Sequence, residues 1–299
     1  MYEGAFRILR ALGDGRSLTQ DQLVRAARES ASVVREVIER YPKWFDKGDD
    51  GLRCSECGLA ALARELVARS PIAEDEVTWR QAYESLASKR GDPKRGLDQV
   101  YVTTDTAVRR ARLLVEAGDH QRGLIFLGDD DLTSAAVQLA GAARRVTAVD
   151  TDPHILKVLK DAAKEHDWEL VTIPHDLCKP MPRSMRGRFG AVFTDPPYAV
   201  EGFRLFISRA VDLLKPDGRL YVCFGYSRRA SERGLQKQRA LSEAGFLVEA
   251  VFEGFNQYEG AEAIGSQSGL WRCRVTPETK ALVTGEVEGP LYTSRSPHA

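Results

Sequence analysis

The chain has 299 residues, of which 43% are hydrophobic, and its 43 lysine and arginine residues balance its 43 aspartate and glutamate residues. This even charge gives no indication of nucleic acid or an anionic membrane as a partner, and no apolar run is long enough to cross a bilayer. The length suggests two domains, and five cysteines behind an N-terminus that predicts a helix rather than a signal peptide fit a reducing, cytoplasmic location.

Residues 1–72 predict three helices followed by a β-hairpin. Apolar residues recur at helical spacing over 3–13, Thr19 is suited to cap a second helix, and a third helix follows. After Phe45, the sequence Lys-Gly-Asp-Asp-Gly separates two short extended pieces, which indicates a hairpin. This order is typical of a winged-helix-like domain. Because its third helix has a mixed rather than a basic face, we expect the domain to assemble a homodimer or shape the cleft, and not to bind DNA.

Cys54 and Cys57 form a Cys-x-x-Cys pair that resembles one half of a zinc site. A structural zinc ion needs four ligands, and the sequence supplies no second pair or nearby histidine. Two chains of a dimer could complete a site with two ligands each, or the pair is an unoccupied remnant. We expect no metal cofactor.

Residues 73–118 are predicted to form connecting helices, with a loop at 90–96 between them. The polar pair Asp98 and Gln99 stands just before Tyr101, in the segment that leads into the last of these helices. The pair could face a binding cleft or simply terminate the segment.

From residue 119 to residue 299, apolar runs alternate with helical segments, which predicts a Rossmann-like, doubly wound α/β domain of the class I methyltransferase type. The runs at 124–127 and 146–149 flank a helix of small residues and form a βαβ unit, and such units bind nucleotides outside the carboxyl ends of their strands. Asp150 ends the second run, where an acid usually accepts hydrogen bonds from ribose hydroxyls. The segment from Pro277 onward is expected to be mobile and ordered only in part.

The turn after the first strand is acidic where a dinucleotide or methyltransferase site would have glycines. Gly128 is followed by Asp129, Asp130 and Asp131. Three carboxylates would repel a pyrophosphate, so the turn favours a cationic ligand. The alternative is a solvated acidic turn that caps the next helix, a position for which aspartate is well suited.

Two further acids follow later strands. Asp176 comes after the third strand, where it could hold the adenine amino group or merely cap a turn. The fourth strand ends in Asp195-Pro196-Pro197-Tyr198, a motif that methyltransferases acting on exocyclic base nitrogens also carry. The two prolines fix the backbone so that Asp195 can accept hydrogen bonds from an amine, while the Tyr198 ring can lie beside a base or a cation. The alternative is a tight turn with a buried tyrosine.

Residues 254–269 are rich in glycine, serine and glutamine and are predicted to form a mobile loop over the site. A last strand is predicted at 271–275. Within the loop, Glu259 is an expected contact for a cationic substrate.

The acids suggest which reaction the cleft serves. An alkylamine has a pKa near 10.4 and must lose a proton before its lone pair can attack. The acidic turn and Asp195 would attract such a polycation, and crowded carboxylates raise one another's pKa, so one of them becomes a better base. S-adenosylmethionine carries a carboxylate that the turn would repel. Decarboxylated S-adenosylmethionine has an ammonium in the same region, so aminopropyl transfer is favoured over methyl transfer.

Together the motifs resemble the branched-chain polyamine synthases, the N(4)-bis(aminopropyl)spermidine synthases of thermophiles. The resemblance rests on Gly-Asp-Asp-Asp-Leu at 128–132, Val-Asp-Thr-Asp-Pro at 149–153 and Asp-Pro-Pro-Tyr at 195–198, and it covers nearly the whole chain. It implies sequential aminopropyl transfer from decarboxylated S-adenosylmethionine to the secondary amine of spermidine, with release of methylthioadenosine.

The chain also resembles the linear spermidine synthases, and this implies roles for individual residues. Asp131 aligns with the acid of their Gly-Gly-Gly-Asp-Gly turn and would hold or deprotonate the reacting amine. Asp195 aligns with their catalytic acid and would share that task, while Asp150 and Asp176 would hold the nucleoside. The other expected contacts are with the acceptor, from Asp129, Asp130, Tyr198 and Glu259, and with the donor, from Gln99, Gly128 and Pro196.

Two other functions fit part of the pattern. One is an S-adenosylmethionine-dependent nucleic-acid methyltransferase of the Asp-Pro-Pro-Tyr type, which would need a basic face around the cleft. The other is a polyamine-sensing regulator that binds DNA through its N-terminal domain. The sequence leaves open the acceptor length, the number of transfers and the oligomeric state.

Overall fold

The protein is described by a computed structural model that covers residues 1–70, 76–141 and 145–288. The chain divides into two units, Met1–Ser70 and Pro71–Ala299. The predicted domain boundary at residue 72 lies outside the described residues. Within these ranges, no helix combines the length and the apolar character needed to span a membrane.

The first unit has the predicted order of three helices, a hairpin and a further helix. Thr19 caps the second helix with a complete capping box, as its position in the sequence indicates. The apolar faces of the helices share one hydrophobic core. The winged-helix assignment itself stays a prediction. The elements are α1 (Glu3–Leu12), α2 (Gln20–Ala27), α3 (Ala31–Arg40), β1 (Phe45–Gly48), β2 (Gly51–Cys54) and α4 (Glu56–Arg69).

The second unit alternates helices and strands. Its elements are α5 (Glu76–Ala87), α6 (Thr104–Glu116), β3 (Leu124–Leu127), α7 (Thr133–Ala140), β4 (Val146–Asp150), α8 (Pro153–Glu165), β5 (Leu170–Pro174), β6 (Phe189–Thr194), α9 (Val200–Leu213), β7 (Leu214–Phe224), α10 (Ser231–Glu243), β8 (Leu247–Gln257) and β9 (Gln267–Arg274).

These strands form one seven-stranded sheet in the order β5-β4-β3-β6-β7-β9-β8. The first five strands in this order, β5, β4, β3, β6 and β7, pair in parallel. Strand β9 runs antiparallel to both of its neighbours, β7 and β8. One face of the sheet is covered by α5, α6, α7 and α8, and the other by α9 and α10, with a separate apolar core on each side. The doubly wound, methyltransferase-like fold predicted from the sequence is therefore confirmed. Its switch point lies between β3 and β6, where such sheets bind ligands outside the carboxyl ends of the strands.

The prediction of a loop over 254–269 is wrong at both of its ends. Strand β8 continues to Gln257 and β9 begins at Gln267, so the two strands enclose a short connection. The pairing of β8 with β9 shifts its register between Phe252 and Asn256. Gly254, with a φ of +60°, lies inside this bulge, and a glycine within a strand commonly marks such a place. The glycine that indicated a loop instead allows a bent strand.

Residues 277–288 belong to the segment that the sequence predicts to be mobile. They pack against α9 of the same unit. The amides of Leu282 and Val283 donate to Ser208 Oγ, each at 3.1 Å. Arg209 Nη2 donates to the carbonyl of Gly285 at 2.7 Å. The remainder of the predicted mobile segment, 289–299, lies outside the described residues.

Candidate active site

A cavity of about 1010 Å³ opens at the carboxyl ends of the parallel strands. It is bounded on one side by the segment before α6 and on another by the connection between β8 and β9. The structure brings together most of the residues that the sequence assigned to the site. The cavity is lined by Gln99, Gly128, Asp130, Asp131, Asp150, Asp195, Pro196, Tyr198 and Glu259.

Asp129 is not among the lining residues, and its assignment as a substrate contact is corrected here. Its carboxylate accepts the amide of Ser134 at 3.2 Å and also the Ser134 hydroxyl, at the start of α7. Burial raises the pKa of Asp129 to about 8, against the effect of these hydrogen bonds. Asp129 therefore binds the first turn of α7, as the alternative interpretation of the acidic turn predicts, but it is buried rather than solvated.

Asp176 also lies outside the cavity lining. Its side chain is exposed, and its Oδ1 accepts the amide of Cys178 at 2.9 Å. The neighbouring His175 and Leu177 line the cavity instead. Asp176 thus has the turn-capping position that the sequence left open, and we no longer assign it to the adenine group.

Asp150 is held rigidly at the end of β4. Its Oδ2 accepts the amide of Asp129 at 2.9 Å, and its Oδ1 accepts the amide of Asp152 at 2.8 Å. Burial raises the pKa of Asp150, and these hydrogen bonds oppose that shift. A carboxylate oxygen can accept more than one hydrogen bond. Asp150 can therefore accept from a pair of ribose hydroxyls in the cavity without losing its own support.

Gln99 links the segment before α6 to the turn after β4 through hydrogen bonds. Its Nε2 donates to Asp152 Oδ2 at 3.1 Å, and its Oε1 accepts the amide of Lys94 at 2.9 Å. Lys94 Nζ reaches the same carboxylate, at 2.6 Å from Oδ1. Gln99 therefore faces the cavity, and it also fixes the shape of one wall.

Arg110 is the central residue that sequence reasoning missed. It belongs to α6, is 1% exposed, and reaches two of the predicted catalytic acids. Its Nη1 lies 2.7 Å from Asp131 Oδ2, and its Nη2 lies 2.6 Å from Asp195 Oδ2. Its Nε donates to Asn256 Oδ1 at 2.8 Å. One feature of the sequence indicates that Arg110 is buried: it stands at helical spacing with the apolar residues of α6.

This arginine changes the electrostatics of the acidic turn. Burial alone would lower the pKa of Arg110, but Cys223, Asp195 and Asp131 hold it well above its usual value. Burial also raises the pKa of Asp131, and the Arg110 charge opposes that rise. Asp131, in the turn, and Asp195, after β6, therefore share the permanent positive charge of Arg110. The turn does not present three unpaired charges to a ligand.

Asp130 is the acid of the turn that is left for a ligand. Among the described residues, no side chain or amide donates a hydrogen bond to its carboxylate, which lines the cavity. Burial raises its pKa well above the usual value, and the charges of Asp131 and Asp150 raise it further. A ligand ammonium placed here would favour the ionised form. Asp130 is therefore the natural partner for a cationic group.

Tyrosine side chains complete the wall around Asp195. Tyr258 donates its hydroxyl to Asp195 Oδ2 at 2.9 Å and lies 2.8 Å from Ser268 Oγ. The Tyr198 hydroxyl accepts the amide of Ser227 at 3.1 Å, which fixes its ring in the cavity wall. Tyr258 was not predicted, because the sequence offered no reason to separate it from its neighbour Glu259.

The structure shows no metal centre in the described ranges. No cluster of three or more histidine, cysteine, aspartate or glutamate side chains there could hold an ion. Cys54 is buried and Cys57 is exposed, and both are free thiols.

Comparison with known proteins gives consistent matches. A model of the branched-chain polyamine synthase A C-terminal domain matches residues 79–288. The N(4)-bis(aminopropyl)spermidine synthase of Thermus thermophilus is 33% identical over 79% of this chain and 74% of its own length. The enzyme of the same name from Thermococcus kodakarensis is 36% identical over 60% of this chain, and the match spans about half of that relative, 52%.

A solved structure extends the comparison to nearly the whole chain. It is that of the C9 mutein of the branched-chain polyamine synthase from Thermus thermophilus, in complex with N4-aminopropylspermidine and 5'-methylthioadenosine. The two chains are 26% identical and superpose with a TM-score of 0.66, over 97% of this chain and 91% of the other.

The different positions of Asp129 and Asp130 predict opposite phenotypes for neighbouring substitutions. Asp129→Ala should lower the melting temperature, because it removes the carboxylate that accepts the Ser134 amide at the start of α7, and loss of such an acceptor costs about 0.5–2 kcal/mol. Asp130→Asn should leave the melting temperature equal or higher, since it removes a repelled carboxylate, but it should weaken binding of a ligand ammonium. Thermal unfolding and calorimetry with decarboxylated S-adenosylmethionine on both variants test this. Equal losses of affinity in both would contradict the assignment.

Proposed function

Because the chain belongs to the branched-chain polyamine synthase family, we propose that it transfers aminopropyl groups from decarboxylated S-adenosylmethionine to the secondary amine of spermidine. The products are N(4)-aminopropylspermidine, then N(4)-bis(aminopropyl)spermidine, and methylthioadenosine. The relatives from Thermus thermophilus and Thermococcus kodakarensis, both N(4)-bis(aminopropyl)spermidine synthases, support this reaction. The observation that carries it is the set of acids in one cavity, in which Asp131 and Asp195 share Arg110 while Asp130 is left for a ligand.

We orient the donor in the cavity by its ribose. Asp150 accepts hydrogen bonds from its ribose hydroxyls, next to Gly128 in the turn after β3, and Pro196 closes the opposite side. The aminopropyl chain then extends towards Asp130, whose carboxylate binds its ammonium. A donor that kept its carboxylate would bring a negative charge to the same place. Two unit charges about 4 Å apart repel by roughly 4 kcal/mol at an effective dielectric of 20, so the decarboxylated donor is preferred.

The acceptor amine reacts at the corner between Asp131 and Asp195. Asp195 is the more accessible acid, since its side chain is 22% exposed and that of Asp131 is 5% exposed. Asp131 also accepts the amide of Val102 at 2.8 Å. We therefore assign proton acceptance to Asp195 and orientation of the amine to Asp131. Tyr198 and Glu259 bind the remaining length of the polyamine.

The transfer itself is a single displacement. The neutral amine attacks the aminopropyl carbon bonded to sulfur, the carbon–sulfur bond breaks, and its electron pair stays on sulfur as the thioether of methylthioadenosine. In the first transfer the proton of the secondary amine passes to Asp195 and then to solvent. In the second transfer the neutral tertiary amine has no proton to lose, and the product nitrogen keeps the positive charge. Fixed carboxylates also stabilise the positive charge that develops on the attacking nitrogen, which is a transition-state effect.

Mass spectrometry of the products tests this function directly. Incubation with decarboxylated S-adenosylmethionine and spermidine should give spermidine with one or two added aminopropyl groups, together with methylthioadenosine. Asp131→Asn, which is nearly isosteric but uncharged, should nearly abolish the transfer because Arg110 loses one partner and the amine loses its anchor. Methylation of an amine by S-adenosylmethionine, or full activity of Asp131→Asn, would overturn the proposal.

Binding of the nucleoside product tests the donor orientation separately. Asp150→Ala should weaken the affinity for methylthioadenosine at least tenfold, because charge-assisted hydrogen bonds are worth about 1.5–3 kcal/mol. Asp176→Ala is the matched control and should leave this affinity unchanged, since the Asp176 carboxylate lies outside the cavity lining. Calorimetry in which Asp176→Ala causes the greater loss would refute the placement of the nucleoside.

A further inference from the structure

Lys237 is a buried lysine in the wall of a cavity lined by several acids. It belongs to α10, is 2% exposed, and lines the cavity. Its Nζ donates to the carbonyl of Gly225, beyond the end of β7, at 2.9 Å. An ammonium has three N–H donors. In the part of the chain that the structure describes, this carbonyl is the single hydrogen-bond partner of Nζ.

The surroundings of Nζ combine apolar rings with charges of both signs. The ring centroid of Tyr198 lies 4.7 Å from Nζ, and that of Phe203 in α9 lies 5.5 Å from it. Burial is the main influence and lowers the pKa of Lys237 to about 8. Asp195, after β6, opposes this shift, while Arg233, on the same helix as Lys237, adds to it.

We propose that Lys237 is a fixed cation that disfavours the protonated form of the acceptor amine beside Asp195 and so favours the neutral amine that attacks the donor. The inference rests on the aminopropyl transfer proposed above. A like charge nearby lowers the pKa of an ammonium, and a neighbouring cation is an established way of activating an amine nucleophile. Asp195 accepts the proton, and Lys237 makes its release easier.

This role predicts opposite effects on binding and on rate. The positive charge of Lys237 weakens binding of a polycationic acceptor and speeds the step that needs a neutral nitrogen. Lys237→Met removes the charge and keeps most of the apolar stem. At pH 7 it should therefore lower both the KM for spermidine and kcat. A lysine that only packs against the Tyr198 ring would instead raise KM when it is replaced.

The pH dependence provides a second signature. Lys237 is charged below about pH 8 and loses its proton above it, so its effect is present at neutral pH and disappears in alkaline solution. The kcat profile reports ionisations in the enzyme–substrate complex. Its rising limb should lie about one pH unit higher in Lys237→Met than in the wild type, a shift typical of one nearby charge. The two enzymes should converge at high pH.

The experiment measures kcat and KM for spermidine across the pH range at saturating donor, for the wild type and Lys237→Met. Lys157→Met is the matched control, since Lys157 is exposed on α8 and pairs at the surface with Asp161. Lys237→Arg keeps the charge at every pH, so it should match the wild type at neutral pH and should not converge with Lys237→Met in alkaline solution. Coincident limbs in the wild type and Lys237→Met, or a parallel loss of affinity and rate, would overturn the proposal.

Calorimetry separates this inference from the proposed function. Spermidine should bind several-fold more tightly to Lys237→Met than to the wild type at pH 7, with methylthioadenosine present, and unchanged methylthioadenosine affinity shows that the variant is folded. If the wild type transfers no aminopropyl group, the proposed function fails, whereas the spermidine comparison still reports on the charge of Lys237. Equal or weaker spermidine binding by a folded Lys237→Met contradicts the inference.

Discussion

The ion pairs of Arg110 are the interaction on which the arrangement of the site depends. One buried guanidinium contacts Asp131, in the turn after β3, and Asp195, directly after β6. Without this cation, the two carboxylates would repel each other. The same guanidinium bonds Asn256 in β8, so strands that are distant in sequence hold the reactive corner in one geometry.

A division of labour among the acids follows from this constraint. The first acid of the turn, Asp129, caps α7, and the third, Asp131, is paired with Arg110. Asp130 faces the cavity between them. Within the turn, the negative charge available to a ligand is therefore smaller than the sequence suggests, and it is concentrated at Asp130. Lys237 adds a positive charge on another wall, so the cavity has a polarity along which a donor and a polyamine can be oriented.

The sequence predicted the fold well because apolar runs, caps and acids at strand ends are local signals. It missed the end of β8 and the start of β9, since Gly254 lies in a bulge that only strand pairing reveals. The roles of Asp129, Asp130 and Asp131 could not be separated, because side-chain direction depends on the turn, in which Leu132 adopts a φ of +53°. The partnership of Arg110 required the docking of α6 on the sheet, which no local pattern encodes.

The most direct test is a crystal structure of the chain with methylthioadenosine and spermidine bound. The account predicts that the secondary amine lies within hydrogen-bond distance of Asp195, that the ribose hydroxyls contact Asp150, and that Arg110 keeps both of its carboxylate partners. A secondary amine bound away from Asp195, or an Arg110 side chain displaced from Asp131 and Asp195, would contradict the account.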